Sequence, residues 1–398
     1  MSLPIAAQNK NLPAGTPLDD ADKNKSLLFS PITTKSVTAH NRIVVAPMCM
    51  YSAENGYMND FHFAHLGAFA LKGAGSVIIE ATAVEPRGRI SPHDLGLWED
   101  GQIVPLKRTV EFIKAQGSVP GIQLAHAGRK ASMGSPFAGY RLLTEEEGGW
   151  PQDVVAASDI PFDDKHAQPR ALTLVEMNDI KQKWVDAAIR ADKAGIELLQ
   201  IHSAHGYLLH NFLSGNSNQR TDQYGGSLEN RLRFPLEVIK AIRDVWPAEK
   251  PFWVRLSSTD NKYADSFAKD ENGWDIYQAI EYSKELKKIG VDVIDCSSGG
   301  ILANANYSGA GPCWQVPFSE IIKKEAGIQT GAVGIITKGS EGESILQENK
   351  ADFIGVAREF LRNSGFVLTA ARELGIPVKW ANQYERADRE RHIPKSKV

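Results

Sequence analysis

A chain of 398 residues with 42% hydrophobic content can bury a large core, as one large barrel or as two ordinary domains. The formal charge of -3, with no basic block beyond a short Arg-rich stretch from Arg386 to Arg391, argues against nucleic acid as a partner. Cys49, Cys296 and Cys313 are too scattered for a disulfide framework or a zinc site, no segment approaches the ~20 apolar residues that cross a bilayer, and no leader is visible, so a cytoplasmic protein without a membrane partner is expected.

Residues 1–26 are polar and lack periodicity, and read as an extended or disordered arm. Residues 27–386 read as one unit and residues 387–398 as a polar tail. Within the unit, hydrophobic periodicity predicts a first buried strand over 43–48 and a helix over 61–72, a second strand over 76–84 and a helix over 104–116, and a third strand over 120–126. Residues 131–172 form a long irregular stretch, and its Trp150, Pro151, Ile160 and Phe162 predict that it packs down over a pocket. A helix over 174–194 leads to the fourth strand, Glu197-Leu-Leu-Gln-Ile-His-Ser-Ala-His-Gly-Tyr207. The next helix, 227–245, opens on Ser227 as a candidate N-cap. Strands over 252–257, 291–296, 329–336 and 352–357 follow, with helices over 274–289, 316–325, 341–347 and 366–374. Eight strand-then-helix units with no linker predict an α/β fold, a (β/α)8 TIM barrel, rather than an open sheet split into domains.

In such a barrel the functional groups gather at the C-terminal ends of the strands, and the sequence piles polar residues there. His202 and His205 sit three apart, so they share one pocket only if the backbone turns between them, which Ala204 and Gly206 make easy. Two imidazole N–H groups aimed at one point would clamp a substrate oxygen, with Tyr207 beside them as a weak acid. Pro47, Met48, Cys49 and Tyr51 follow the first strand, Ala81 and Thr82 end the second, and the third carries Gln123 and His126. Arg255 lies inside an apolar strand, where an unpaired charge is costly, and reads as the partner of a cofactor that gains negative charge. Gly331, Gly334, Ala357 and Arg358 after strands seven and eight suit a phosphate. With no Gly-x-Gly-x-x-Gly turn after the first strand, a mononucleotide flavin fits better than a dinucleotide.

Ala46-Pro-Met-Cys-Met-Tyr51, Gln123-Leu-Ala-His-Ala-Gly-Arg-Lys130, Ile201-His-Ser-Ala-His-Gly-Tyr207 and Arg220-Thr-Asp-Gln-Tyr-Gly-Gly-Ser-Leu-Glu-Asn-Arg231 fall in order on these strands and the loops after them. From Leu28 to about Arg386 the chain resembles the Old Yellow Enzyme family of FMN-dependent ene-reductases and NADPH dehydrogenases, in the branch with Cys after the first strand. The resemblance implies tightly bound, non-covalent FMN, lined by Ala46, Pro47, Met48 and Cys49 and contacted by Ala81, Gln123, Arg255, Gly334, Ala357 and Arg358. Cys49 would tune the flavin where other branches have Thr, and Ala357 stands where the family commonly has Gly. It further implies NADPH, or NADH, as hydride donor, and enones, enals, maleimides and nitroalkenes as substrates. Their carbonyl oxygen would be held by His202 and His205 with Tyr51 nearby, and Tyr207 would donate the proton. Gln383-Tyr-Glu-Arg386 matches a segment that carries an Arg into a neighbouring subunit's pocket, so a homo-oligomer, dimer or tetramer, is implied with Arg386 at the substrate. The competing expectation is a metal-dependent barrel hydrolase using His202, His205 and Asp295.

Overall fold

The computed structural model describes residues 8–9, 11–19 and 25–388. Eight parallel strands close on themselves: β1 Ile43–Val45, β2 Ser76–Ala83, β3 Val119–Ala125, β4 Leu198–Ser203, β5 Phe252–Ser257, β6 Val293–Ser297, β7 Gln329–Ala332 and β8 Phe353–Val356. Closure is made by β8 pairing with β1, Ile354 opposite Ile43 and Val356 opposite Val45. The helices between them are α1 Asp60–Leu71, α2 Ile103–Ala115, α3 Leu174–Lys193, α4 Leu228–Val245, α5 Ile276–Ile289, α6 Val316–Ala326, α7 Gly339–Gln347 and α8 Phe366–Glu373. The sequence predicts each of them, and the α/β barrel class with them, because β-branched runs such as Ile43-Val-Val45 alternate with stretches of helical spacing, and α1, α3, α4 and α5 start on a capping side chain. Ser227 caps α4 by accepting from Asn230 N–H, and Thr173 and Glu176 form a reciprocal capping box on α3.

The barrel interior is layered by the two-residue period of the strands. Its lower layer is apolar: Val44, Ile78, Val119, Leu198, Trp253, Val293 and Phe353 pack together. A hairpin of Ile32–Thr34 and Val37–Ala39 plugs this end, adding Ile32, Val37 and Ala39 to the layer. Moving toward the C-terminal ends of the strands, the same inward face turns polar at Gln200, Arg255 and Asp295, with Gln123 in register with Gln200. A register shift between Ile79 and Ala81 breaks the alternation in β2.

Several parts of the chain depart from the sequence expectation. The hairpin at 32–39 goes unpredicted because its strands are three residues long and half polar. Two short helices, Leu208–Leu213 and Arg358–Arg362, follow strand ends within a few residues and are too brief to show a period. Strand seven ends at Ala332 rather than at residue 336, because the chain turns away through Gly334 at φ 122° and Ile335 at φ 54°. The described part of the N-terminal arm is packed rather than free: Asn9 and Ala14 are buried, Gly15 N–H donates to Lys379 O and Lys379 N–H to Thr16 O, each at 2.8 Å. Residues 1–7, 10, 20–24 and 389–398, including nearly all of the expected polar tail, lie outside the described residues. Among the described residues no helix is long and apolar enough to cross a membrane.

Trp253 packs against Phe353 in the apolar layer, with ring centroids 4.6 Å apart and the planes tilted by 57°. Trp253→Ala should therefore cost about 3–5 kcal/mol of unfolding free energy. A denaturant midpoint unchanged from the parent protein would show that the plugged end of the barrel carries no such load.

Candidate active site

The C-terminal end of β4 turns where the histidine spacing requires it. His205 has φ 57° and Gly206 φ 75°, and a Cβ on Gly206 would lie 2.2 Å from Gly300 O, so only glycine fits. The turn is held from below. Gly206 N–H donates to His210 Nδ1 at 3.0 Å, His210 Nε2 lies 3.1 Å from Asp260 Oδ1, and the Asn211 side chain donates to Gly206 O at 2.8 Å. From above, Lys130 Nζ donates to His205 O at 2.9 Å and to Gly300 O. Burial and the neighbouring Arg129 charge bring the Lys130 ammonium down to about 7.

His202, His205 and Tyr207 come together. The His202 ring stands edge-on to His205, centroids 5.0 Å apart, and to Tyr207, 4.7 Å apart. His202 Nδ1 accepts from Ala204 N–H at 3.2 Å, so its proton resides on Nε2, which faces His205 Nδ1 at 3.3 Å; His205 Nε2 in turn faces Ser297 Oγ at 2.7 Å. The pair is thus a row directed toward Ser297 rather than two N–H groups converging on one point, which refines the clamp expected from the sequence. Burial, followed by the Arg255 charge, holds both imidazoles well below their ordinary range, so both are neutral donors at neutral pH. Burial also raises the Tyr207 phenol well above its ordinary value, which keeps its proton in place. Tyr51, with φ 51°, and Cys49 pack with Tyr207 on one cluster that includes Ile90, Ala127 and Met133. The Cys49 thiol is raised by burial and then by Asp94 and Glu80, so it is a protonated thiol and not a thiolate.

Beside them is a cavity of about 580 Å³, within the usual range for small-molecule sites, lined among others by Arg255, Ser298, Gln315, Gly334, Ala357 and Arg358. Thus Arg255, Gly334, Ala357 and Arg358, drawn from strands five, seven and eight, border one space. A Cβ on Gly334 would come within 2.9–3.1 Å of the Gln315 side chain, so the glycine is what allows this loop its path. The residues fit the FMN that the resemblance implies on one decisive observation. Arg255 is only 7% exposed, its Nε has no hydrogen-bond partner, and its terminal nitrogens donate to no protein group among the described residues. A buried guanidinium in that state calls for an anionic or strongly accepting ligand.

The Asp295 carboxylate of the hydrolase alternative turns away from the histidines, toward Gln200 and Arg255, so the three would-be ligands do not converge. Arg386 stays outside the assembled group: it is exposed on a 3-10 turn, Asn382–Ala387, next to Asn9 of the arm. Sequence reasoning overlooked Lys130, Ser297, Gln315 and Gln200 as members of the site. Gln200 carried a usable signal, a polar residue at the inward position of an otherwise apolar strand, as in Gln123 and Arg255.

Glu80, the residue at the β2 irregularity, braces the loop that carries Cys49 and Tyr51 by accepting from Met50 N–H at 3.0 Å. Its other oxygen is 3.8 Å from His62 Nε2. Burial raises Glu80 to about 8 and lowers His62 to about 4, so near neutral pH this contact joins two uncharged groups rather than an ion pair. An acid whose folded pKa is raised holds its proton in the native state while the unfolded chain releases it. Glu80 therefore makes stability fall as pH rises from about 4.5 to about 8. Glu80→Gln should remove that slope, at most about 1.4 kcal/mol per pH unit, in melting curves recorded across this window. Parallel pH profiles for the two proteins would refute the assignment.

A model of the NADH:flavin oxidoreductase / NADH oxidase family matches residues 27–375. Among similar sequences are an NADH:flavin oxidoreductase of Gibberella zeae, 45% identical over 380 residues, covering 94% of this chain and 91% of that protein. The NADPH dehydrogenase of Bacillus subtilis is 44% identical over 362 residues, covering 90% of this chain and 98% of its own. Among solved structures, morphinone reductase superposes with a TM-score of 0.71 at 25% identity, over 89% of this chain and 91% of that one.

Proposed function

The chain belongs to the NADH:flavin oxidoreductase / NADH oxidase family and is an FMN-dependent NADPH dehydrogenase of the Old Yellow Enzyme type, and from that premise we propose that it reduces the activated C=C bond of α,β-unsaturated carbonyl compounds. FMN, when bound, would supply the hydride chemistry between the nicotinamide and the β-carbon of the substrate. Arg255 and Gln123 would hold its ring, Ala46, Pro47, Met48, Cys49 and Ala81 would line it, and Gly334, Ala357 and Arg358 would hold its phosphate. Four of these residues, Arg255, Gly334, Ala357 and Arg358, border the one 580 Å³ cavity, which supports the assignment.

The observation that carries the reading is the neutral His202–His205 row beside a protonated phenol. A substrate carbonyl oxygen placed at the row would accept a hydrogen bond from the His202 Nε2–H that now faces His205 Nδ1, and from His205 Nε2–H in place of its Ser297 contact. Uncharged imidazoles donate without transferring a proton outright, so their stabilisation grows as negative charge develops on the oxygen. The Tyr207 hydroxyl then delivers its proton to the α-carbon, and Lys130, fixing the His205 and Gly300 carbonyls, keeps histidines and phenol in one frame. Tyr51 packs on the same cluster as Tyr207 and would flank the substrate. Arg386 would enter the site only as the contribution of another copy, which matches its exposure in the single chain.

His202→Ala and His205→Ala should keep the yellow cofactor yet weaken binding of a phenolic ligand at least tenfold, read by spectral titration; parental affinity in both variants would end the clamp assignment. Tyr207→Phe should slow re-oxidation of the flavin by an enone by roughly 10²–10⁴-fold, the usual scale of general acid catalysis, while leaving its reduction by NADPH nearly unchanged in stopped flow. Equal slowing of both half-reactions would remove Tyr207 as the acid.

A further inference from the structure

Four polar side chains from four consecutive strands form a line across the inside of the barrel. Gln123 Nε2 donates to Gln200 Oε1 at 2.7 Å, Gln200 Nε2 donates to Asp295 Oδ2 at 3.1 Å, and the same Asp295 oxygen lies 3.5 Å from Arg255 Nε. All four are nearly excluded from solvent, the most exposed being Arg255 at 7%. The direction of every bond in the line follows from one group. An aspartate carboxylate beside a guanidinium only accepts, so Gln200 must turn its NH2 toward Asp295 and its carbonyl toward Gln123. Gln123 must then turn its NH2 toward Gln200, which leaves its carbonyl oxygen without a protein partner among the described residues. Asp295 also sets a negative charge 3.5 Å from the Arg255 guanidinium, weakening what Arg255 offers to anything bound beyond it.

We propose that Asp295 is a positioning residue that fixes the polarity of the Gln200–Gln123 amide relay and damps the Arg255 charge, and so holds the reduction potential of the bound flavin down. The role rests on FMN lying against Arg255 and Gln123, as put forward above. Asp295 is not among the residues that line the cavity and would act through Arg255 and through the amides. Replacing it by asparagine removes the negative charge and frees the relay to reverse, since an asparagine can donate as well as accept. Both changes favour the electron-rich, negatively charged form of the ring over the oxidised form.

The midpoint potential of the FMN in purified holoprotein separates this from a packing role. A residue that only supports the fold weakens oxidised and reduced FMN alike and leaves the midpoint where it was, whereas Asp295 discriminates between them. Asp295→Asn should raise the midpoint by about 30 mV, a tenfold gain in relative affinity for the two-electron-reduced cofactor. Asp295→Ser, which removes the charge and leaves room for a water, should do the same, and Asp295→Glu, which keeps the charge, should restore most of the parental value. A yellow Asn or Ser variant with an unchanged or lower midpoint overturns the proposal. A parent protein that binds no FMN at all overturns instead the cofactor placement on which the proposal depends.

Discussion

A guanidinium buried at the centre of a barrel constrains everything around it. Arg255 has apolar Trp253 below it on the same strand face, Asp295 to one side, and open cavity to the other. An isolated buried charge costs several kcal/mol even after relaxation, so the interior must supply a countercharge and a ligand must complete the shell. Asp295 at 3.5 Å satisfies only part of this requirement, because Nε keeps no hydrogen-bond partner. The apolar layer beneath serves the same end. By filling the lower half of the barrel with apolar side chains, it leaves a ligand in the cavity as the group that would meet the remaining donors.

The reactive groups next to this cation are, by contrast, uncharged. His202 and His205 are pushed toward the neutral form by burial and then by Arg255 itself, while Tyr207 and Cys49 keep their protons for want of solvent. One positive group thereby helps keep its neighbours neutral, and this suits a site in which negative charge must build up transiently on a bound oxygen. Were the imidazoles charged, they would bind anions strongly in the ground state and gain less from the change that follows.

Most of the barrel could be read from the chain because its strands are buried on both sides and its helices are one-sided, which are the two patterns a sequence displays best. The gathering of His202, His205 and Tyr207 was equally legible, since polar side chains ending an apolar strand have few structural explanations. The hydrogen-bond directions were not. That His202 faces His205 and His205 faces Ser297, rather than the two converging on one point, depends on backbone donors such as Ala204 N–H and on a side chain 92 residues from His205. Asp295 enters the sequence reading only as a candidate metal ligand of the hydrolase alternative, and its place beside Arg255 depends on strand register that spacing alone does not display. The hairpin plug and the packed arm escaped notice because their partners, the barrel floor and residues 377–382, come from distant parts of the chain.

The stitching of the arm to the far end of the polypeptide bears on how the molecule is made. Pro17 bridges Val378, Leu18 N–H donates to Pro377 O, and β1 has its second neighbour only in β8. During synthesis the first strand must therefore wait, one edge unpaired, until more than 300 residues have left the ribosome. Such an edge is a template for pairing with other chains. Early fragments are accordingly the species most exposed to misassembly, and the last strand to emerge is the one that ends the hazard.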